Sequence, residues 1–146
     1  MQTHIKPMGE YNTKILQTIN DERIAKGISI RQLAHNLGVY PNSVQQWLNP
    51  NTNIQMDNLI MLGNALGITF SLSNTRRQDN TAYQLIDLLR KAKLYQELTT
   101  WDLAELTGIT QPSIVGIFSH KIMPRLNAFL LLAQALGLEF ELWVEE

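Results

Sequence analysis

An internal repeat runs through this chain and matches positions of its first half to positions of its second at one constant offset, for example position 33 to position 103. Apolar residues and glycines recur at this offset over roughly 60 positions without a gap, a consistency that chance seldom produces. Two copies are too few for a solenoid, so the repeat predicts two small domains of one type. They are expected at residues 1–73 and 82–146, with a polar linker at 74–81. The matched segments include Leu33-Ala34 with Leu103-Ala104, Gly38 with Gly108, and Ala65-Leu66-Gly67 with Ala135-Leu136-Gly137.

Four short helices are predicted in the first copy, which makes the fold mostly α. The second of them begins after Ser29, a favourable N-cap with Gln32 in the capping-box position, and ends at Gly38. The third is expected at Pro41–Leu48, because proline is tolerated in the first turn of a helix. The fourth is expected to run through Leu66.

The second copy repeats this scheme. Thr99 is predicted to cap a helix together with Asp102, and Thr110 to cap the next one, with Pro112 in its first turn. The last helix is expected over residues 126–136, where apolar residues recur at helical spacing.

Both copies end in a segment whose apolar residues alternate with polar ones, a period that predicts a strand with one solvent-exposed face. A lone strand leaves its backbone groups unpaired. The two strands are therefore expected to pair with each other in a small antiparallel sheet, or with the strands of a second chain. Trp143 is expected on the exposed face, where a tryptophan indicates a protein interface. The predicted interface residues are Phe70, Leu72, Phe140, Leu142 and Trp143.

The composition excludes several classes of protein. Hydrophobic residues make up 45% of the chain, too many for disorder, and there is no cysteine for a disulfide or a thiolate metal site. No apolar run approaches the roughly 20 residues that span a bilayer, and the first residues lack the apolar core of a secretory signal. The chain also lacks a glycine-rich phosphate loop and clustered metal-ligand spacing. We expect a soluble, cytoplasmic protein that is not an enzyme and holds no cofactor or metal.

Charge is distributed unevenly along the chain. Residues 1–78 contain seven basic and four acidic residues, whereas residues 79–146 contain five basic and nine acidic ones. The first half therefore carries a net charge of +3 and the second half −4. Nucleic-acid binding is electrostatically more favourable in the first half, and the acidic second half is a candidate surface for a protein partner.

Two short helices joined by a tight glycine turn form a helix-turn-helix unit. In the first copy, the turn is Gly38-Val39, and the helix that follows has the sequence "PNSVQQWL". A solvated helix face usually carries Glu, Lys and Arg, but this one presents uncharged amides that can bond bidentately with adenine. Residues expected to face inward are Leu33, Ala34, Leu37, Val44 and Trp47, and those expected to face outward are Asn42, Ser43, Gln45 and Gln46.

The segments "SIRQLAHNLGVYPNSVQQWLN" and "TTWDLAELTGITQPSIVGIFS" resemble the helix-turn-helix of phage repressor and Cro proteins, the XRE family. The strand after the last helix resembles that of HipB-like antitoxins, in which it pairs across a dimer. The resemblance covers nearly the whole chain, twice. It implies two tandem lambda-repressor-like domains, sequence-specific binding of operator DNA, and transcriptional repression. Autoregulation in a phage, mobile element or toxin–antitoxin operon is common in this family.

The resemblance also implies which residues contact DNA. The outward amides of the first copy fall where the family reads base edges, Ser43 and Ser113 fall where it contacts phosphate, and Gln111 falls at a base-reading position. His120 lies with Lys121 and Arg125 near a loop that meets the DNA backbone in the family. The implied DNA-binding residues are Gln32, Asn42, Ser43, Gln45, Gln46, Gln111, Ser113, Lys121 and Arg125.

Both copies depart from the family pattern. A glutamine that clamps a phosphate in the family is replaced by Ile30 and Thr100. Val115 and Gly116 occupy positions where polar or basic readers are usual, and Ile117-Phe118 adds further apolar surface. DNA reading is therefore expected to rest mainly on the first copy.

Two classes of function remain open at this point. The first is a DNA-binding repressor that works as a covalent pseudo-dimer, or as a homodimer through its strands, with two reading helices about one helical turn of DNA apart. The alternative is a protein-binding adaptor, an antirepressor or antitoxin, on a degenerate helix-turn-helix scaffold. The low charge and the acidic second half favour the alternative, and Trp101, beside the Thr99 cap, is a candidate surface anchor.

Overall fold

The computed structural model describes residues 8–73 and 80–144. Residues 74–79 of the predicted linker, and Glu145 at the end of the predicted second strand, lie outside the described residues. The described part is mostly helical, as predicted, with a two-stranded antiparallel sheet. Its elements are α1 (Met8–Ala25), α2 (Ile30–Leu37), α3 (Pro41–Leu48), α4 (Met56–Asn64), β1 (Ile68–Leu72), α5 (Ala82–Tyr95), α6 (Thr100–Thr107), α7 (Gln111–Phe118), α8 (Leu126–Ala135) and β2 (Phe140–Val144).

The predicted helix caps agree with the structure at two of three positions. The Ser29 hydroxyl accepts a hydrogen bond from the Gln32 amide at 3.0 Å. Thr99 and Asp102 form both bonds of a capping box, at 3.0 and 2.8 Å. The prediction for Thr110 is wrong in part: it precedes α7, but its hydroxyl donates to the Ser113 hydroxyl at 2.8 Å instead of accepting from a backbone amide.

Two helices end earlier than the apolar pattern predicts. α4 ends at Asn64 and α8 at Ala135, so the apolar residues that follow, among them Leu66, belong to turns. After α4 the amides of Leu66 and Gly67 bond to carbonyls three residues earlier, which tightens the last turn. Gly67 then adopts a positive φ of 76°, and the chain enters β1.

The two strands pair with each other within one chain, the first of the two arrangements predicted. They are antiparallel, and Ser71 lies opposite Glu141, its own counterpart in the repeat. Phe70 lies opposite Leu142, and Leu72 opposite Phe140, so the pairing is symmetric about its centre. The backbone N–H and C=O groups on the inner edge of each strand are therefore paired without a second chain.

The prediction of a solvent-exposed face on β1 is wrong. Thr69 and Ser71 are buried, as are the apolar residues of the same strand. Trp143 explains this burial, because it lies opposite Thr69 and its indole N–H donates to the Ser71 hydroxyl at 2.8 Å. Trp143 is consequently half-buried against β1, and not exposed as predicted.

One hydrophobic cluster extends through both halves of the chain. Phe70 stacks on Phe140 with ring centroids 5.5 Å apart, and Phe129 meets Phe140 edge-on at 5.3 Å. α1 packs against α8, and α5 packs against α4, so each half places its first helix on the last helix of the other. Burial of apolar surface therefore holds the two halves together.

Gly63 in α4 lies against the ring of Phe70. A Cβ atom at position 63 would come within 2.4 Å of the Phe70 ring, which is buried and stacked. Alanine normally stabilises a helix interior by about 1 kcal/mol over glycine. We expect Gly63→Ala to lower the free energy of unfolding instead, by about 1–3 kcal/mol, because of overpacking. Urea denaturation measures this, with exposed Asn64→Ala as the neighbouring control; a stabilised Gly63→Ala variant would show that the ring is not held against α4.

Candidate nucleic-acid interface

The first helix-turn-helix unit is built from α2, a glycine turn and α3. Gly38 adopts a φ of 70°, and its amide bonds to the His35 carbonyl at 3.1 Å. A side chain with a Cβ disfavours this left-handed conformation, which is why glycine suits the turn. The predicted inward residues Leu33, Ala34 and Val44 are fully buried, whereas Leu37 and Trp47 are half-buried and pack against the core.

The outer surface of α3 presents the amides singled out from the sequence. Asn42, Gln45 and Gln46 are exposed, as is Gln32 on α2, whereas Ser43 is half-buried. Among residues 8–73 and 80–144, no hydrogen bond engages the side chains of Asn42, Gln45 or Gln46. These three amides are therefore available to donate and accept hydrogen bonds with a ligand.

Two exposed residues beside this surface were missed by the sequence reasoning. Arg31 lies in the first turn of α2, next to Gln32, and is exposed. Tyr40 forms the last residue before α3 and is 82% exposed. Their positions next to motif residues were a usable signal, since a cation and an aromatic phenol that flank a reading helix can both contact a phosphate backbone.

The second half repeats the helix order of the first, with α6 and α7 joined by a turn at Gly108, but its polar residues bond to each other. Gln111, predicted to read bases, is half-buried and donates from Nε2 to the Thr100 hydroxyl at 2.9 Å. Ser113, predicted to contact phosphate, is half-buried and accepts from the Thr110 hydroxyl. Neither polar group extends freely from the start of α7.

The loop after α7 folds back over the helix. A Cβ at Gly116 would lie 2.4 Å from the end of the Ile122 side chain, so Ile122 covers the helix at this point. Ile117 and Phe118 are buried in the core, and the expectation that they enlarge the outer apolar surface is wrong. Val115 remains exposed beside the covered glycine.

The three predicted backbone contacts near this loop have different environments. His120 bonds through Nε2 to the Asp87 carboxylate at 2.9 Å. Arg125 donates from its guanidinium to the Asn53 carbonyl at 3.0 Å, and so links the second half to the first. Lys121 is exposed and forms no ion pair within the described residues.

The outer side of α6 is acidic. Asp102 and Glu105 are both exposed there. The hydrogen bond that the backbone amide of Thr99 donates to Asp102 holds the pKa of this carboxyl below its usual range, because it stabilises the ionised carboxylate. Near neutral pH α6 therefore presents two negative charges, whereas the corresponding residues of the first unit are Gln32 and His35.

The described residues were also searched for a metal site and for a membrane-spanning helix. In residues 8–73 and 80–144, no group of three His, Asp or Glu side chains is placed to hold a metal ion. No described helix is long and apolar enough to cross a membrane.

Comparison with known proteins identifies the first unit. No curated protein and no solved structure matches the chain at a significant level. Residues 19–72 match the family model described as Helix-turn-helix, a span that contains α2, the glycine turn, α3, α4 and β1. This match supports the XRE-type resemblance found in the sequence. The first half of the chain therefore contains a helix-turn-helix domain, of a family whose members are typically DNA-binding regulators.

Proposed function

We propose that this chain is a sequence-specific DNA-binding transcriptional regulator, a repressor that reads its operator chiefly through α3. The observation that carries this proposal is the exposed and unengaged set of amides on α3, Asn42, Gln45 and Gln46, in a helix-turn-helix domain. In such domains the second helix enters the major groove, where Asn and Gln can form paired hydrogen bonds with adenine.

Groups around α3 are suited to the DNA backbone. Ser43 and Gln32 can donate to phosphate oxygens, and Arg31 adds a positive charge at the start of α2. These contacts would fix the orientation of the domain and leave sequence recognition to the amides. The surplus of basic residues in the first half favours the same assignment.

We further propose that the second half is a second helix-turn-helix unit, related to the first by an approximate twofold axis. Backbone contacts support this arrangement, because Gln55 bridges Arg125, its own counterpart in the repeat. The hydrogen bonds on either side of this bridge are counterparts too: the Met56 amide bonds to the Pro124 carbonyl, and the Leu126 amide to the Ile54 carbonyl.

A second pair of hydrogen bonds follows the same relation. Lys26 donates to the Leu66 carbonyl, and Gln96, the counterpart of Lys26, donates to the Leu136 carbonyl. One chain would thus provide the twofold scaffold that dimeric repressors build from two chains. Because α3 and α7 differ in sequence, the operator is expected to have unlike halves. An autoregulatory role in a mobile element or toxin–antitoxin operon is the setting that the resemblance suggests.

The proposal is tested by titrating the full chain onto the DNA upstream of its own gene over a range of salt concentrations. Neutralised phosphates release counterions, so we expect affinity to fall at least about tenfold between 50 and 200 mM salt. A random duplex of equal length, the control, should bind more weakly at every salt concentration. Absence of binding at low salt, or equal affinity for both duplexes, would contradict a sequence-specific regulator.

A further inference from the structure

We propose that the outer side of α6 and α7 is a docking surface for a protein segment that combines basic and apolar side chains, and is not a second DNA-reading surface. We call this surface the acidic face, and the inference rests on the proposed function in taking α3 as the reader of DNA. The acidic face consists of Trp101, Asp102, Glu105, Val115 and Ile122.

Two contacts connect the helices and the loop that carry the acidic face. The hydrogen bond from Gln111 to Thr100 joins the start of α7 to the start of α6, next to Trp101. Val115 follows Gln111 by one helical turn and therefore lies on the same side of α7. Ile122 packs over Gly116, the residue that follows Val115, so a second exposed apolar side chain lies near the same turn of α7.

Exposed residues at positions related by the repeat differ in charge and polarity between the two units. At four exposed positions related by the repeat, polar or basic residues of the first unit are replaced by apolar or acidic ones in the second. The pairs are Arg31 with Trp101, Gln32 with Asp102, His35 with Glu105, and Gln45 with Val115. The first unit therefore offers a positive charge and amides at these positions, whereas the second offers two negative charges and two apolar side chains.

DNA is a poor ligand for the acidic face. The carboxylates of Asp102 and Glu105 repel phosphates, and the hydrogen bond that the Thr99 backbone amide donates to Asp102 stabilises its ionised form. Gln111, the remaining amide, is engaged by Thr100, and Gly116 has no side chain where the first unit presents Gln46. Two basic groups lie near this surface, Lys93, whose charge acts on Asp102, and Lys121, the neighbour of Ile122 in sequence, but within the described residues neither forms an ion pair with Asp102 or Glu105.

A protein segment of complementary chemistry fits the same features. Trp101 is 69% exposed, and tryptophan is among the residues most enriched at the centres of protein interfaces. Val115 and Ile122 are each 44% exposed, so the outer side of α6 and α7 offers three large apolar side chains as well as two carboxylates. Apolar side chains of a partner would cover Trp101 and Val115, and its lysines or arginines would pair with Asp102 and Glu105.

The test uses the full chain and two fluorescently labelled amphipathic helical peptides, one of leucine and lysine and one of leucine and glutamate. Fluorescence anisotropy at low salt should show the lysine peptide binding at least about tenfold more tightly, because only it complements the carboxylates. Trp101→Ala and Glu105→Lys should each weaken its binding at least about fivefold. Tyr95→Ala is the matched control, since Tyr95 is 90% exposed but lies outside the acidic face, and it should change nothing.

Four outcomes would overturn the proposal. Three of them are absence of binding by the lysine peptide, equal binding of the two peptides, and binding that Trp101→Ala leaves unchanged. A fourth is a loss of affinity for the upstream DNA in the Trp101→Ala variant, which would place DNA on this surface. The titration of the unchanged chain with upstream DNA tests the proposed function without the peptides. A failure of one proposal can therefore be told from a failure of the other.

Discussion

Replacing Phe70 by alanine is expected to lower the free energy of unfolding by about 3–5 kcal/mol, the usual cost of removing a buried phenylalanine. The side chain is almost fully buried, stacks on Phe140 of the second half, and lies against Gly63 of the first. Its removal would leave a cavity where the cores of the two halves meet. Urea denaturation followed by circular dichroism measures the effect.

Ile24→Ala is the control for this variant, because Ile24 is 59% exposed on α1 and should contribute within about 0.5 kcal/mol. Protein concentration provides a second check. Because β1 pairs with β2 of the same chain, the stability of either variant should not depend on protein concentration. If the strands paired between chains, stability would rise with protein concentration. A loss below about 1 kcal/mol for Phe70→Ala would show that the two halves do not share this core.

Local signals were sufficient to predict most of the helices. The capping box of Thr99 and Asp102 and the glycine at position 38 act within one turn of chain, so sequence spacing alone determines them. The same holds for the inward set of the first motif, where Leu33 and Val44 are fully buried as their spacing predicts. The helix ends at Asn64 and Ala135 were misjudged, because the apolar pattern continues into the turns that follow.

Contacts between distant segments could not be predicted from periodicity. Alternation on β1 marks Thr69 and Ser71 as solvent-facing, yet Trp143 covers them from the strand that ends the second half. A polar residue on a strand is exposed only if nothing larger lies across it, and the repeat does not state which residues face each other. The pairing of the two strands within one chain was likewise one of two arrangements that the sequence allowed.

In the candidate interface, too, local features were predictable from the sequence and contacts between distant segments were not. Exposure of Asn42, Gln45 and Gln46 followed from helical spacing within α3 and agrees with the structure. The internal bond of Gln111 with Thr100, and the guanidinium of Arg125 on the Asn53 carbonyl, depend on how separate segments pack. Residue type alone therefore overstated how many polar groups of the second half are free to contact DNA.

The two glutamines of α3 give the most direct test of sequence reading. We expect Gln45→Ala and Gln46→Ala each to weaken binding to the upstream site by about 1–3 kcal/mol, the value of a paired contact with a base. Binding to random DNA should change little, and the salt dependence should be unaltered, because neither residue is charged. Competition binding with labelled upstream DNA measures both quantities.

Val115→Ala is the matched control for Gln45→Ala, because Val115 is the counterpart of Gln45 in the repeat and lies on an exposed side of α7. If α3 alone reads the operator, Val115→Ala should leave affinity for the upstream site unchanged within about twofold, well below the effect of losing a base contact. Equal losses on upstream and random DNA would mean that the glutamines contact the backbone and do not specify sequence. A loss from Val115→Ala as large as that from Gln45→Ala would instead place both units on DNA, since a valine that touches a thymine methyl contributes only when its helix lies in the major groove.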